Sequence, residues 1–186
     1  MKLSKRPRTV FTVFLTIISG AAVGALGLLL LSITAPRPEN LGVKNGRLAA
    51  CPSSPNCVST QAEDREHWIA PIMIPASTVN PIDVLADIVR TMPRTVTVER
   101  NSDYLRVEFR SRMFRFCDDV EFYYERSSSR IHFRSASRVG YSDLGVNRTR
   151  MEEIRENFLK AFPAKPAARA GSPVIPSRPD ALAAAR

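Results

Sequence analysis

Residues 135–150, "SASRVGYSDLGVNRTR", concentrate side chains that could do chemistry. Arg138, Arg148 and Arg150 stand close to the start of a predicted helix, where guanidinium groups and free backbone amides together suit a phosphate or a carboxylate. The segment therefore predicts an anion-binding loop. The candidate ligand-binding residues in and around it are Asp118, Arg134, Arg138, Tyr141, Asp143, Asn147, Arg148 and Arg150.

Two other interpretations of this segment stay open. In the first it is polar architecture, in which the glycines permit tight turns and Asp143 and Asn147 bind backbone groups. In the second it belongs to a hydrolase-type enzyme that uses Asp118 and Asp143 with neighbouring serines and arginines. The chain has no G-x-S-x-G elbow, phosphate-binding glycine loop or zinc-binding helix. We therefore favour architecture and binding over catalysis, and predict no catalytic residue, metal ion or cofactor.

Asp118 is an acidic residue on an otherwise apolar strand face. Strand alternation places it beside Val120 and Phe122, where an unpaired buried carboxylate would be costly. We expect an arginine of the 135–150 segment as its partner, with Arg138 and Arg148 as the first candidates, and this pair would attach the segment to the sheet. The alternatives are a functional carboxylate with a shifted pKa and a bulge that moves the side chain to the other face.

Four segments alternate with the period of a strand, and short gaps join them as antiparallel hairpins. Charge and apolar pairing predict their register. In the last hairpin, Phe122 should face Phe133 and Glu121 should face Arg134. The middle hairpin should place Val107 opposite Val120, and the first should place Val96 opposite Val107. The predicted strands are residues 95–100, 104–111, 116–125 and 130–137.

Two amphipathic helices flank these strands. The first, residues 80–92, begins with Asn80 as its cap and ends before Pro93, and the second runs from about 148 to 162 with Asn147 as its cap. Residues 67–74 could add an edge strand or an extended cover. We therefore predict an α+β fold: a two-layer domain with a four-stranded antiparallel meander and both helices packed on one face, after an N-terminal transmembrane helix.

Residues 10–33 form an uncharged run of 24 residues, long enough to span a bilayer. The basic residues before it favour a cytoplasmic N-terminus. A cleaved signal peptide is the alternative, although the run exceeds the usual length. The predicted divisions are a basic N-terminus (1–9), a transmembrane helix (10–33), a linker (34–45), an ectodomain (46–162) and a disordered Pro/Ala/Arg-rich tail (163–186). The expected location is the inner (cytoplasmic) membrane, single-pass, with the ectodomain in the periplasm or cell exterior.

The formal net charge of +9 could suggest nucleic-acid binding. Its distribution argues against that function, because residues 36–162 hold 19 basic and 17 acidic side chains and most of the excess lies at the two ends. We therefore expect a membrane-bound protein that does not bind nucleic acid.

Cys51 and Cys57 bracket "CPSSPNC", a spacing that allows the approach a disulfide requires. An extracytoplasmic domain would favour its formation. A metal site would need more ligands nearby, and Cys117 should be a free thiol on a strand.

Three stretches, "GRLAACPSSPNCVSTQ", "FRFCDDVEF" and "RSASRVGYSDLGVNRTRMEEIR", resemble the family known as domain of unknown function 1499, DUF1499. The resemblance covers roughly residues 46–162 and departs at Cys117, where an aliphatic residue is expected. It implies small proteins that are often exported or membrane-attached. It implies no activity, cofactor or catalytic residue.

These observations favour a membrane-anchored module that binds an anionic small molecule, a lipid headgroup or an envelope protein partner through the arginine-rich loop. The hydrolase described above is one alternative. The other is a structural subunit of an envelope complex, which would expose an apolar patch, for example around Trp68.

Overall fold

The computed structural model of the protein describes residues 6–74 and 80–161. It consists of an N-terminal helix followed by an α+β domain. The predicted tail, residues 163–186, and the first five residues lie outside the described residues. The helices are α1 (Arg6–Thr34), α2 (Pro81–Thr91) and α3 (Val146–Ala161), and the strands are β1 (Cys57–Ser59), β2 (Ile72–Met73), β3 (Thr95–Arg100), β4 (Tyr104–Arg110), β5 (Cys117–Glu125) and β6 (Arg130–Ser137).

The predicted apolar run forms the helix α1. Its span Thr9–Thr34 has 26 residues and a mean hydropathy of 2.3, which is long and apolar enough to cross a membrane. A signal sequence near an N-terminus meets the same criteria. The helix is consistent with either role.

The sheet has six strands, so the prediction of four was too low. The four predicted strands form consecutive antiparallel hairpins in the order β6-β5-β4-β3, and β1 and β2 both pair antiparallel with β6 on its outer side. These additional strands have only three and two residues. Segments that short carry too little alternation to be detected as strands, although β2 lies inside the stretch 67–74 for which an edge strand was considered.

The predicted register is confirmed in two hairpins and wrong in the third. Phe122 faces Phe133, Glu121 faces Arg134 and Val107 faces Val120. In the β3–β4 hairpin, Val96 faces Glu108 rather than Val107. The register shifts between Thr97 and Glu99, so a bulge at this point moves the pairing by one residue.

Helices α2 and α3 pack on one face of the sheet and enclose the core. Asn80 caps α2 as predicted, because its side chain accepts a hydrogen bond from the Ile82 amide. The expected cap of α3 was wrong: Asn147 lies inside the first turn, and Asp143 Oδ2 accepts from the Asn147 amide at 2.7 Å. The largest fully buried core side chains include Phe122, Phe133, Phe158, Ile82, Leu85, Leu105, Ile131, Met151 and Ile154.

The opposite face of the sheet carries charged side chains that are also buried. Glu108, Asp119, Glu121 and Arg134 are each no more than 5% exposed. The segment between α1 and β1 covers part of this face, since the Gly42 amide donates to Glu121 Oε1 at 2.6 Å. The predicted linker is therefore in direct contact with the sheet.

The cysteines are arranged as the sequence predicts. Cys51 and Cys57 form a disulfide with a Cα–Cα distance of 5.7 Å, which joins the covering segment to β1. Cys117 is a free, buried thiol on β5. Burial raises the pKa of the Cys117 thiol to about 12, so the thiol stays protonated at neutral pH.

Candidate functional site

A cleft of about 450 Å³ opens beside the first turns of α3. It lies between that helix, the turn from α2 to β3 and the end of β4. Its walls combine apolar side chains with several arginines and one buried carboxylate. The lining residues are Met92, Pro93, Arg94, Phe109, Arg110, Ser111, Asp118, Leu144, Val146, Thr149, Arg150 and Glu153.

Asp118 and Arg150 form an ion pair that lines this cleft. Arg150 Nη2 lies 2.6 Å from Asp118 Oδ2, and the guanidinium carbon lies 4.6 Å from the centre of the Phe109 ring. The expected ion pair with an arginine of the 135–150 segment is therefore present, but the partner is Arg150, and the first candidates, Arg138 and Arg148, were wrong. The pairing neutralises a carboxylate on the apolar face, and the Phe109 ring adds a cation–π contact to the arginine.

Asn147 holds Arg150 in this position. The Asn147 side chain is completely buried and accepts a hydrogen bond from Arg150 Nη1 at 2.8 Å. Its Nδ2 donates to the Asn56 carbonyl and to Ser137 Oγ, each at 3.0 Å. The amide thus ties α3 to β6 and to the segment before β1, and it orients one arginine of the cleft.

Arg138 points to the opposite face of the sheet. Its Nη2 lies 2.5 Å from Glu108 Oε1 and 2.8 Å from Asp119 Oδ1. Burial alone would raise the pKa of Glu108, but hydrogen bonds from Arg138 and Arg37 outweigh burial and hold the pKa at about 2. The hydrogen bond to Asp119 raises the pKa of Arg138. This arginine is committed to two buried carboxylates.

Arg134 lies on the same charged face. Burial lowers the pKa of its guanidinium, an effect that Glu121 partly offsets, and Arg134 Nη1 lies 3.6 Å from Glu121 Oε2. It borders a second cavity of about 280 Å³ between the sheet, Pro38 and Cys51. Arg134 and Arg138 therefore lie together, but on the far side of the sheet from the cleft.

The remaining candidates are separated from both cavities. Arg148 Nη2 donates to the backbone carbonyls of Glu66 and Trp68, at 2.7 and 3.1 Å. Tyr141 is exposed, and Asp143 accepts from backbone amides at the start of α3. The three arginines predicted to converge thus occupy three different places, and only Asp118 and Arg150 of the predicted set line the cleft.

Two arginines of the cleft were missed in the sequence analysis. Arg94 follows α2, and Arg110 ends β4. Arg94 Nε donates to the Arg110 carbonyl at 3.1 Å, and no carboxylate among the described residues lies within ion-pair distance of Arg94. The predicted strand order could have indicated these two arginines, because both lie at the end of the sheet where β6 also ends.

The donor set of the cleft suits an anion better than a metal ion. Its lining has three arginines against two carboxylates, and residues 6–74 and 80–161 contain no group of three or more His, Cys, Asp or Glu side chains that could hold a metal. A cationic, partly apolar cavity of this size can bind an anionic group with an attached hydrocarbon or aromatic part.

A family model described as "Protein of unknown function (DUF1499)" matches residues 47–158. The chain belongs to the DUF1499 family. Among curated proteins and among solved structures, nothing matches the chain. The family assignment confirms the resemblance found in the three sequence motifs.

The residues that line the cleft all lie inside the matched DUF1499 region, whereas α1 lies before it. The cleft is therefore a feature of the DUF1499 domain itself. The charged face under the covering segment also lies in this region, apart from contacts that Arg37 and Gly42 contribute from the preceding residues.

Proposed function

We infer that this protein is a membrane-anchored module whose DUF1499 domain binds an anionic amphiphile in the cleft beside α3. The ligand class is a carboxylate or phosphate attached to a small hydrocarbon or aromatic part. The observation that carries the proposal is the cleft itself, in which an arginine without a carboxylate partner stands next to an apolar wall.

The apolar wall and the arginines serve different parts of such a ligand. Met92, Pro93 and Phe109 offer a surface that removes hydrocarbon from water. Arg94 and Arg110 stand beside them and offer guanidinium donors for the charged group. A purely polar anion would leave the apolar wall unused, and a neutral lipid would leave Arg94 unpaired.

The carboxylates near the cleft favour binding over catalysis. Asp118 is paired with Arg150, and the oxygens of Asp143 accept hydrogen bonds from the amides of Gly145 and Asn147. A general acid or base must reach the reacting proton directly. Neither Asp118 nor Asp143 is a free group facing the centre of the cleft, and the second lining carboxylate, Glu153, lies on the exposed side of α3.

The proposed anchor is α1, in a single pass with a cytoplasmic N-terminus and the DUF1499 domain on the other side of the inner membrane. The length and hydropathy of Thr9–Thr34 support a span, and the Cys51–Cys57 disulfide supports an oxidising compartment. Alkaline extraction should leave the full chain in the membrane fraction. Release of a shortened chain would indicate a cleaved signal sequence instead.

Ligand binding can be tested by calorimetry on the full chain in lipid nanodiscs. The probes are octyl phosphate, octanol and inorganic phosphate, with empty nanodiscs as the background. We expect octyl phosphate to bind and each half-probe to bind at least tenfold more weakly, because each uses only one of the two surfaces. Equal binding of octanol and octyl phosphate would show that the arginines play no part.

The matched variants separate the cleft from general surface charge. Arg94→Gln should weaken octyl phosphate binding by about tenfold or more, since it removes a charged hydrogen-bond donor. Arg90→Gln makes the same change on the exposed face of α2, where Arg90 pairs only with the exposed Asp87. Identical affinities of the two variants would refute the assignment of the ligand to this cleft.

A further inference from the structure

The DUF1499 domain has one end at which several loops meet. The β4–β5 hairpin turns through residues 111–116, β6 runs into the loop at 138–145, and the α2–β3 turn at 92–94 adjoins the start of β3. Because neighbouring strands are antiparallel, these three loops lie at the same end of the strands. We call residues 92–94, 111–116 and 138–145 the loop end.

The helix α1 reaches the domain close to the loop end. Arg37 Nη2 lies 3.0 Å from Glu108 Oε1, and Glu108 stands two residues before the end of β4. Only Ala35 and Pro36 lie between Arg37 and Thr34, the last residue of α1, so the chain between them spans at most about 10 Å. A membrane that holds α1 would therefore lie near the loop end.

The loop end carries the most exposed large hydrophobic side chains of the domain. Leu144 is 93% exposed, Met113 is 78% exposed and Tyr141 is 77% exposed. No other large hydrophobic residue among the described residues after α1 exceeds 54%, the value for Met73. Side chains of this kind on two adjacent loops indicate a surface that contacts another phase or partner.

Arginines accompany these hydrophobic side chains at the loop end: Arg112 and Arg115 flank Met113 in sequence, and Arg94 lines the cleft together with Leu144. Arg94, Arg112 and Arg115 are exposed, and none has a carboxylate within ion-pair distance among residues 6–74 and 80–161. Together with Arg110 they border a shallow depression beside the main cleft. Exposed hydrophobic residues on the same loops as three arginines that lack a carboxylate partner among the described residues match the interface of an anionic bilayer.

We propose that the loop end docks on the surface of the bilayer that holds α1. Met113 and Leu144 enter the interfacial layer, and Arg94, Arg112 and Arg115 contact anionic headgroups. The cleft beside α3 shares Arg94, Arg110 and Leu144 with this surface, so its mouth opens toward the lipid. An amphiphile can then enter the cleft directly from the membrane. This inference rests on the proposed anchorage by α1.

Trp fluorescence in nanodiscs tests the docking, because brominated lipids quench an indole that lies in the bilayer. The chain has a single tryptophan, so Trp68→Phe provides a background without one. In that background, Met113→Trp and Leu144→Trp each report on the loop end. Ser127→Trp is the matched control, because Ser127 is exposed in the turn between β5 and β6 at the opposite end of the sheet.

We expect brominated lipids to reduce the emission of the Met113→Trp and Leu144→Trp proteins by at least twofold and to leave the Ser127→Trp protein unchanged. Adding Arg112→Gln and Arg115→Gln should reduce the quenching, as should nanodiscs made of neutral lipid only. If both loop-end reporters match the Ser127→Trp control, the docking proposal is wrong. Failure of the full chain to co-purify with nanodiscs would instead contradict the anchorage, and the two failures are thus distinguishable.

Discussion

Arg138 lies between Glu108 and Asp119 and binds both carboxylates on the buried charged face of the sheet. The two acids occupy directly opposed positions on β4 and β5, an arrangement that would be repulsive without a cation between them. Arg138, which follows β6 directly, places a cation between the two acids, and Arg37 and Arg110 also contact Glu108. These ion pairs link the end of β6 to β4 and β5.

Removing this arginine should destabilise the domain. Arg138→Gln leaves two buried carboxylates without their shared cation, and we expect the free energy of unfolding to fall by about 3 kcal/mol or more. Urea titration of the full chain at a fixed detergent concentration, followed by near-UV circular dichroism, measures the change. Arg148→Gln, which removes only bonds to backbone carbonyls, should cost about 1 kcal/mol.

A triple variant separates loss of charge balance from loss of shape. Replacing Glu108 by Gln, Asp119 by Asn and Arg138 by Met removes the three charges of this cluster while keeping similar volumes. Stability should recover by at least half of the Arg138→Gln loss, because no uncompensated charge remains. A triple variant less stable than Arg138→Gln would contradict this account.

The low pKa of Glu108 predicts a specific acid sensitivity. Its pKa is about 2 in the folded protein against an ordinary value of 4.5. A carboxylate with a depressed folded pKa contributes stability that is fully present above 4.5 and is lost as the pH falls toward 2. The difference in unfolding free energy between the unmodified protein and Glu108→Gln should therefore be constant above about pH 5.5 and shrink between pH 4.5 and 2.

The measurement is a set of urea titrations of both proteins at pH 7, 5.5, 4, 3 and 2. Glu63→Gln is the control, since Glu63 is almost fully exposed and its distance to Arg47 is 3.9 Å. Its difference from the unmodified protein should stay near zero throughout. A Glu108→Gln difference that does not change with pH would show that Glu108 is not held ionised by its arginines.

The register of a strand pair was predictable where the side chains on both faces of the sheet favoured the same pairing. In the β5–β6 hairpin, Phe122 against Phe133 and Glu121 against Arg134 permit one register only, and the structure has it. In the β3–β4 hairpin, the valines at 96 and 98 suggested regular alternation. A bulge interrupts that alternation, and bulges leave little trace in a short polar strand.

The identity of the arginine that pairs with Asp118 depended on the direction in which the side chain of Arg138 points after the end of β6. The Arg138 amide bonds to the Cys117 carbonyl, so the strand pattern continues to this residue and alternation directs its side chain to the face of Asp119. Arg148 and Arg150 are two residues apart on α3, which places them about 200° apart around the helix. Strand alternation therefore turns Arg138 away from Asp118, and the helical repeat places Arg148 and Arg150 on different sides of α3. For these two reasons Arg150 is the arginine that pairs with Asp118.

The cleft was not predictable from one segment of the chain. Its walls come from the α2–β3 turn, the end of β4 and the first turns of α3, which are distant in sequence. Arg94 and Arg110 had no motif around them, whereas the arginines at 138, 148 and 150 stood in a conspicuous polar stretch. Much of that stretch has a structural role, because Asp143 caps α3 and Asn147 joins α3 to β6.

Asn147 should be among the most sensitive polar positions of the domain. Asn147→Ala removes a completely buried amide together with its hydrogen bonds to the Asn56 carbonyl, Ser137 Oγ and Arg150. We expect a loss of about 3 kcal/mol in unfolding free energy, because several buried polar groups lose their hydrogen bonds at once. Urea titration measures it. Asn101→Ala, at an exposed turn, should cost under about 1 kcal/mol.

The same variant tests whether Asn147 also positions Arg150 in the cleft. Octyl phosphate binding by folded Asn147→Ala protein, measured below its unfolding range, should be weaker than in the unmodified protein. Asn147→Ser offers a smaller disturbance, because its hydroxyl can replace part of the hydrogen bonding. Normal stability of Asn147→Ala would contradict the central role given to this amide.

Thiol accessibility should distinguish the three cysteines. In the folded, unreduced protein, a maleimide should label no cysteine, because Cys51 and Cys57 are joined and Cys117 is buried with a raised pKa. Denaturation without reductant should allow one label, and denaturation with reductant should allow three. Intact mass should show that the unreduced chain is lighter by two hydrogens, about 2 Da.

The disulfide should contribute to stability as well as mark the compartment. Replacing Cys51 and Cys57 by Ser reopens a short loop and should lower the unfolding free energy by about 2 kcal/mol, since the unfolded chain regains conformational freedom. Cys117→Ser is the control for thiol loss without loss of a bond, and its cost reflects only placement of a hydroxyl on the buried strand. Two labels gained by the Cys117→Ser protein on denaturation without reductant would mean that Cys51 and Cys57 are not joined in the purified protein.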